Sequence, residues 1–445
     1  MSPVTRVAHR TFGSVKVRNY RLFISGQLVS VTGTWMQTVA LGWLVLRLTD
    51  SGFAVGVNLA LQFLPILLFG MWGGLVADRF DKRRTLIRTQ AAMALLAGVL
   101  WTITITGVAQ LWMIYLLSLL IGSVTVVDNP TRQSFVTEMV GKDLVANAVS
   151  LNSAVFNASR IIGPAIAGVM IATIGLPWAF LLNAISFAAV IVGLRAMDPT
   201  QLLVSIPAAR AGGQVRAGLR YVWDVRRLRY TVMLVAVVAT FGLNFSVVLP
   251  LFARFTFHSG AGAFGFLTSM MALGALIGAL VSAARRRPTR RLLLGSAALF
   301  GALTVVAALA PNLTMLAILL VPIGAASITF IATANATLQL NCAPVMRGRV
   351  MALHGLVFLG STPLGAPVIG WVSERFGPRV GLAAGGLICL VAALAAIVVI
   401  KRGAIERRLR LARPGRRQPV MLPEGSPVGM VGPADALGED ERRAG

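Results

Sequence analysis

The chain has 445 residues, 41 Lys and Arg against 15 Asp and Glu, and a formal net charge of +26, yet only 13% of its residues are charged and 56% are hydrophobic. Soluble domains carry about 25% charged residues. This composition, with a mean hydropathy of +0.79, therefore excludes an ordinary soluble domain and puts the chain in the membrane class. At about 20 apolar residues per crossing, the length accommodates a dozen spans. Hydrophobic runs predict helices over 22–48, 53–77, 85–106, 110–130, 145–173, 178–196, 230–252, 262–284, 292–310, 313–338, 350–372 and 379–400. The expected organisation is a six-helix half over 1–196, a linker over 197–229, a second six-helix half over 230–401 and a tail over 402–445.

Helix 1 carries Gln27, Ser30, Thr34, Gln37 and Thr38 at spacings that fall on one face, and helix 2 adds Asn58 and Gln62 one turn apart. Between helices 2 and 3, Gly74 is followed by Asp78, Arg79, Asp81, Lys82, Arg83 and Arg84, two acids and four bases in a turn with almost no room for a loop. An acid at this point is placed to meet the positive end of helix 11 near Gly348 and latch the two halves. A basic loop that merely sets topology, with incidental acids, is the plainer reading. Helix 4 closes on Asp128-Asn-Pro-Thr-Arg132-Gln.

Helix 5 holds Asn152, Phe156, Ser159, Arg160, Gly163, Pro164 and Gly168. Arg160 lies some fifteen residues into the helix, about 20 Å along it at 1.5 Å per residue, hence near mid-membrane. An arginine there costs about 2.5–3.5 kcal/mol on insertion scales and usually faces a water-filled pathway. It reads as an anchor for an anionic or strongly polar substrate, as one half of a gating pair, or as an arginine satisfied by carbonyls between helices. The small residues of Ser159-x-x-x-Gly163-Pro164-x-x-Ala-Gly168 permit close helix approach, and Pro164 bends the helix.

The linker ends in a run from Arg216 to Arg229 that mixes Leu219, Tyr221, Val222, Trp223 and Leu228 with five arginines. It reads equally as an amphipathic helix on the inner leaflet or as a solvated basic linker. Helix 7 contributes Asn244, and helix 11 contributes His354 and Phe358. Helices 3, 9 and 12 hold almost no polar groups, which fits a cavity lined by some helices and walled from lipid by others. Beyond Arg402 the tail turns Arg-rich, then Pro/Gly-rich and acidic, a composition expected to be disordered.

Placing both termini in the cytoplasm puts 36 Lys and Arg on inner segments and four (Arg47, Arg254, Arg375 and Arg379) outside. That asymmetry is the positive-inside rule; the charge orients the chain and no nucleic-acid partner is implied. Cys342 and Cys389 form no CxxC, and the three histidines are scattered, so no metal site is expected. Gly141-Lys142 is followed by Asp143 and completes no phosphate-binding loop, and there is no HExxH or GxSxG. No cofactor and no enzymatic chemistry are implied. None of the fifteen acids lies deep in a span, so a proton carrier would have to be a peripheral acid, His354 or the substrate.

The halves echo each other at an offset near 205. Asn129-Pro-Thr131-Arg-Gln133 meets Asn335-Ala-Thr337-Leu-Gln339, Gly163-Pro164 through Gly168 meets Gly365-Ala-Pro367 through Gly370, and Gly33 meets Gly242. Duplication of a six-helix unit explains the shared order.

The Gly74-x-x-x-Asp78-Arg79-x-Asp81-x-Arg83-Arg84 run resembles the loop 2–3 signature of the major facilitator superfamily, departing from it at Asp81, where that family usually has Gly. The helix 5 run resembles the motif found mainly in its antiporters and exporters. Asn19-Tyr20-Arg21-Leu22-Phe23, Gly33-Thr34-Trp35-Met36-Gln37, Asp128 through Gln133, and Asn152-Ser153 followed by Arg160-Ile-Ile-Gly-Pro are similar to a bacterial branch of enterobactin-exporter-like and transmembrane secretion effector proteins. The resemblance spans Arg18 to Lys401. It implies an all-α membrane protein with twelve transmembrane helices in two pseudo-symmetric six-helix bundles. It further implies a monomeric secondary transporter of the bacterial inner membrane that exports a siderophore, drug or metabolite by alternating access. Proton antiport follows from the resemblance alone, as does a gate built from Gly74, Asp78, Arg79, Arg83, Arg84, Asp128 and Arg132. The expected substrate site is Arg160 with Gln27, Thr34, Gln37, Asn58, Gln62, Asn152, Phe156, Asn244, His354 and Phe358. A lipid or lysolipid flippase and a non-transporting membrane sensor or scaffold stand as alternatives.

Overall fold

The computed structural model describes residues 13–203, 214–285 and 288–412. The linker residues 204–213 and the tail from 413 lie outside the described residues. Residues up to Val398 form one compact unit that holds every candidate residue named above; a second begins at Val399 and is helical as far as Ala412. The described residues contain no strand, and twelve helices are long and apolar enough to cross a membrane. They are α1 (Arg18–Thr49), α2 (Gly52–Arg79), α3 (Lys82–Ile105), α4 (Leu111–Gly141), α5 (Asp143–Thr173) and α6 (Pro177–Arg195) in the first half. The second half has α7 (Arg226–Thr256), α8 (Ala261–Ala283), α9 (Arg290–Ala308), α10 (Leu313–Asn341), α11 (Pro344–Phe376) and α12 (Pro378–Ile400).

Short caps explain the tight turns. Asp50 ends α1 in the left-handed region, its N–H donating to the Leu46 carbonyl, and the Ser51 hydroxyl caps α2 by accepting from Ala54 N at 3.1 Å. After α2, Phe80 is extended and the Asp81 carboxylate caps α3 by accepting from Arg84 N at 2.7 Å. Asp81 thus does as an N-cap what a glycine cannot.

Two elements differ from the sequence reading. A loop over 131–144 is expected, but α4 runs through Pro130 to Gly141 and α5 starts at Asp143. The extension buries Phe135, Val136, Met139 and Val140 against Tyr20, Phe23 and Leu86. The chain then reverses in one step at Gly141, whose φ of 70° suits a residue without a Cβ. The amphipathic stretch of the linker is also shorter than expected. A helix covers Gln214–Asp224, Val225 is extended, and Arg226, Arg227 and Arg229 belong to the first turns of α7.

Helix α7 is itself discontinuous: a π-turn over Val238–Gly242 runs into an unwound Leu243 and Asn244. Asn244 repairs the gap, its amide donating to the Thr240 carbonyl at 2.7 Å and its own carbonyl accepting from Val247 N at 3.0 Å. Such irregular backbone is tolerated at membrane depth only where protein surrounds it, and Asn244 is 3% exposed.

Glycine seams bring the halves together. Gly163 of α5 meets α1, where a Cβ would fall 2.7 Å from the Thr32 carbonyl; five residues on, Gly168 meets Gly262 and Gly265 of α8. Helix α11 repeats the arrangement at the same spacing, with Gly365 on the Thr240 carbonyl of α7 and Gly370 on Gly52 of α2. Each helix therefore seals to the first helix of its own half and to the second helix of the other. The sequence echo between the two runs is this repeated duty.

The cross-half contacts gather at the end that bears Asp50. There Glu374 of α11 accepts from Ser51 Oγ at 2.5 Å and from Phe53 N at 2.9 Å, and Arg254 pairs with Asp50 at 2.5 Å. Two large apolar clusters toward this end mix both halves. At the opposite, basic end, Tyr20, Phe23, Leu86 and Phe135 cluster within the first half, and Val222, Leu228, Leu338 and Val350 within the second. The molecule is closed at the Asp50 end.

Cysteines replacing Ser51 and Glu374 are expected to cross-link on oxidation, since the native pair is in contact and Cys342 and Cys389 are buried. Adding Gly370→Leu should cut the cross-link yield severalfold, whereas Gly98→Leu, where a Cβ meets nothing within 4 Å, should leave it unchanged. Quantitative gel shift after oxidation reads both.

Candidate functional site

Arg160 lies on the α5 face that packs on α1. Its guanidinium sits 5.5 Å from the centre of the Trp35 ring, and Trp35 meets the Phe156 ring edge-on at 5.8 Å. Gly163, one turn further, brings the α5 backbone against Trp35 and Thr32, and Ser159 accepts a hydrogen bond from Thr32 at 2.9 Å. The arginine is thus laid on an aromatic face, where a desolvated cation gains about 2 kcal/mol. Among the described residues it has no carboxylate partner and makes no hydrogen bond. Phe156 is 48% exposed, so the aromatic and cationic groups share one accessible patch.

A second charged constellation lies between α1, α3 and α4. Asp128 accepts from Thr89 Oγ1 at 2.7 Å and from Gln90 Nε2 at 2.8 Å, and pairs with Arg132, whose other terminal nitrogen donates to Gln27. Gln27, Gln90, Thr89 and Asp128 are all buried. Nearer the α3 start, Lys82 and Glu138 form an ion pair with both side chains 8% exposed. Buried ions persist only when paired and hydrogen-bonded, and both conditions hold here. Thr89, Gln90, Lys82 and Glu138 are absent from the expected site. Lys82, Thr89 and Gln90 fall on one helical face at spacings of seven and one, a signal that becomes meaningful only once α4 is known to continue past Pro130 and carry Glu138.

The other expected residues are dispersed. The polar face of α1 divides: Gln27 turns to Arg132, while Gln37 accepts from Asn183 of α6 at 2.7 Å. Thr34 and Thr38 bond their own helix backbone at 2.9 Å. Asn58 accepts from Ser118 of α4 at 2.7 Å. Gln62 and Asn152 are half-buried and make no side-chain hydrogen bond among the described residues. His354 is 7% exposed, its ring stacks on Phe358 at 6.2 Å, and its Nδ1 is buried without a partner. In the 2–3 turn, Gly74 and Asp78 are half-buried and Arg79 and Arg84 exposed. Arg83 donates to the carbonyls of Leu194 and Arg195 at 2.6 and 3.0 Å, capping the C-terminal end of α6.

The Asn19-Tyr20 motif anchors the same region. Asn19 exchanges two hydrogen bonds with the backbone of Asp198, at 2.9 and 3.0 Å, and Tyr20 donates to the Ala148 carbonyl at 2.8 Å. Asp198 lies outside the spans, and hydrogen bonds from the Thr200 hydroxyl and backbone N–H hold its carboxyl below the usual carboxylate range. 

The family model described as transmembrane secretion effector matches residues 10–414. The chain belongs to this family of the major facilitator superfamily. It is 27% identical over 365 residues to the staphyloferrin A transporter of Staphylococcus aureus, covering 80% of this chain and 90% of that protein. It is 27% identical over 371 residues to the multidrug efflux pump Tap of Mycobacterium tuberculosis, covering 80% and 87%. Over 420 residues it is 23% identical to the enterobactin exporter EntS of Citrobacter koseri, covering 92% and 96%. The fold matches the crystal structure of the nucleoside transporter NupG with a TM-score of 0.70 at 12% identity, over 86% of this chain and 99% of that one. The chain is a multi-pass membrane transporter of small molecules, not an enzyme.

Asp128→Ala removes the acid from a buried cluster and leaves Arg132 uncompensated, a change expected to cost about 3 kcal/mol. Asp128→Asn, which keeps an acceptor for Thr89, should cost less. Thermal unfolding of the detergent-purified protein, followed by tryptophan fluorescence, should rank wild type above Asn above Ala; equal midpoints would show that the network carries no stability.

Proposed function

We propose that this transporter exports a small anionic or strongly polar molecule across the bacterial inner membrane by alternating access, with both termini in the cytoplasm. The observation that carries the reading is Arg160, a cation deep in a span, laid on Trp35 and without an acid partner among the described residues. A substrate carboxylate, catecholate or phosphate would supply the missing counter-charge, and Trp35 and Phe156 would hold an aromatic portion of it. Gln62, Asn152 and His354 each have a polar group that makes no protein hydrogen bond and would serve as further contacts.

The positive-inside rule puts the basic end in the cytoplasm, so the arrangement, closed at the Asp50 end, corresponds to an inward-facing state ready to load. Rocking the halves about the site would then bring Asp78, Arg83 and their neighbours against the start of α11. Around Gly348 there is room for that approach, since a Cβ built on it meets nothing within 4 Å. The names of two relatives, an enterobactin exporter and a multidrug efflux pump, support outward movement, and that of a third, a staphyloferrin A transporter, supports a small-molecule cargo. Proton antiport is the coupling this reading takes from the family. Within the spans, His354, buried with its Nδ1 unpartnered, is the candidate carrier.

Everted inner-membrane vesicles under an imposed pH gradient test the proposal. An anionic catecholate siderophore should accumulate, and Arg160→Ala should lower its uptake about tenfold, the scale of one charge-assisted contact. Arg160→Lys should retain part of it. Accumulation of a cationic dye that is indifferent to Arg160 would overturn the anionic assignment.

A further inference from the structure

Arg160 is flanked in α5 by two residues that are tied to different halves. Before it, Ser159 is fully buried and accepts from Thr32 Oγ1 of α1 at 2.9 Å. After it, the Ile161 carbonyl accepts from Ser269 Oγ of α8 at 2.9 Å. At about 100° per residue, residues 159 and 161 lie on nearly opposite sides of the helix, and Arg160 projects between them. The first tie stays within one half, and the second crosses to the other.

The tie to Ser269 is the innermost of three close approaches along the seam of α5 and α8. Gly168 meets Gly262, a Cβ on Gly265 would fall 2.4 Å from the Pro164 carbonyl, and Ser269 reaches Ile161. Residue numbers rise on α5 as they fall on α8, so the three contacts form one antiparallel ladder whose last rung lies one residue from Arg160. Ser269 is 3% exposed, and a hydroxyl so buried loses its desolvation cost unless the bond is kept. The backbone is soft at this point. Pro164 stands inside the helix and has no N–H for the Arg160 carbonyl four residues earlier, so this stretch of α5 lacks one of its own helical bonds.

We propose that Ser269 is a positioning residue for Arg160, clasping the arginine's segment of α5 to the opposite half only while the Asp50 end is closed. The proposal rests on Arg160 as the substrate anchor and adds how that anchor is coupled to the movement of the halves. Both partners of the Thr32–Ser159 tie belong to the first half, so it persists when the halves rock. The Ser269 tie spans the seam and must part as the seam opens. Held then from one side, the softened turn releases the guanidinium from its place over Trp35. A substrate bound by Arg160 thereby interacts unequally with the two states, which is what allows it to shift the balance between them.

Two readings on the full chain test this without substrate. Nitroxide labels on Val108→Cys and Pro311→Cys, exposed positions at the Asp50 end of the two halves, report open and closed populations by double electron–electron resonance; the native cysteines are buried. Fluorine NMR of 5-fluorotryptophan protein, with the Trp35 signal assigned by Trp35→Phe, reports the ring beneath Arg160. Ser269→Ala should raise the ratio of open to closed about fivefold, the scale of one hydrogen bond. It should also move the Trp35 signal toward its position in Arg160→Ala. Ser269→Cys, close in size and a weaker donor, should fall between wild type and Ala in the fluorine spectrum. Ser296→Ala removes a buried hydroxyl whose bonds stay within α9 and should change neither reading. An unchanged population ratio in Ser269→Ala would overturn the proposal. So would a shifted ratio with an unmoved Trp35 signal, which would make Ser269 a plain seam contact. Uptake by Arg160→Ala separately decides whether Arg160 anchors the substrate.

Discussion

Close backbone approach at a few glycines is the constraint on which this structure depends. Lipid tails are as apolar as leucine, so helices in a bilayer gain nothing by hiding hydrophobic surface from lipid and must associate through tight packing and polar contacts. Gly168 against α8 and Gly370 against α2 provide such packing between halves, while Gly163 and Gly365 provide it within each half, five residues earlier. One short run on α5, and its counterpart on α11, thus sets both the internal geometry of a bundle and its seam with the other bundle. Because packed seams are either closed or open and deform little between, a fold held this way suits two discrete arrangements.

The same seam fixes the environment of Arg160. With Gly163 against Thr32 and Trp35, the turn before it lies beside the Trp35 ring, and the guanidinium has an aromatic face within reach. A larger residue at 163 would lift α5 from α1 and take the arginine off the ring. The packing motif and the charged site, two separate features of the sequence, are one mechanical unit.

The architecture was legible in the sequence because its signals are one-dimensional: span length, the two-residue turn at Asp81, the distribution of arginines and the spaced glycines. The partners of individual polar residues were not. Gln27 and Gln37 share a face of α1 by spacing, yet one turns to Arg132 on α4 and the other to Asn183 on α6, since a helix in a bundle has a different neighbour at each depth. Proline proved a weak stop: Pro130 stands inside α4 because the helix beyond it buries Phe135 and Met139. The break in α7 left no local sign stronger than Asn244, because the glycines that make room for it, Gly365 and Gly385, lie on α11 and α12.

Arg132 and Arg160 show how the context of a buried charge separates support from recognition. Arg132 has an acid four residues back, an amide from α1 and a position between three helices, so its charge is balanced before any ligand arrives. A charge so balanced has little differential affinity to offer, and an interaction that does not differ between states shifts no equilibrium. Among the described residues Arg160 has only a ring face. Its charge is incompletely compensated among the described residues, so on the proposed reading an arriving anion would gain the full contact. The physical difference between the two arginines lies in their partners: Arg132 has an acid beside it, and Arg160 has none among the described residues.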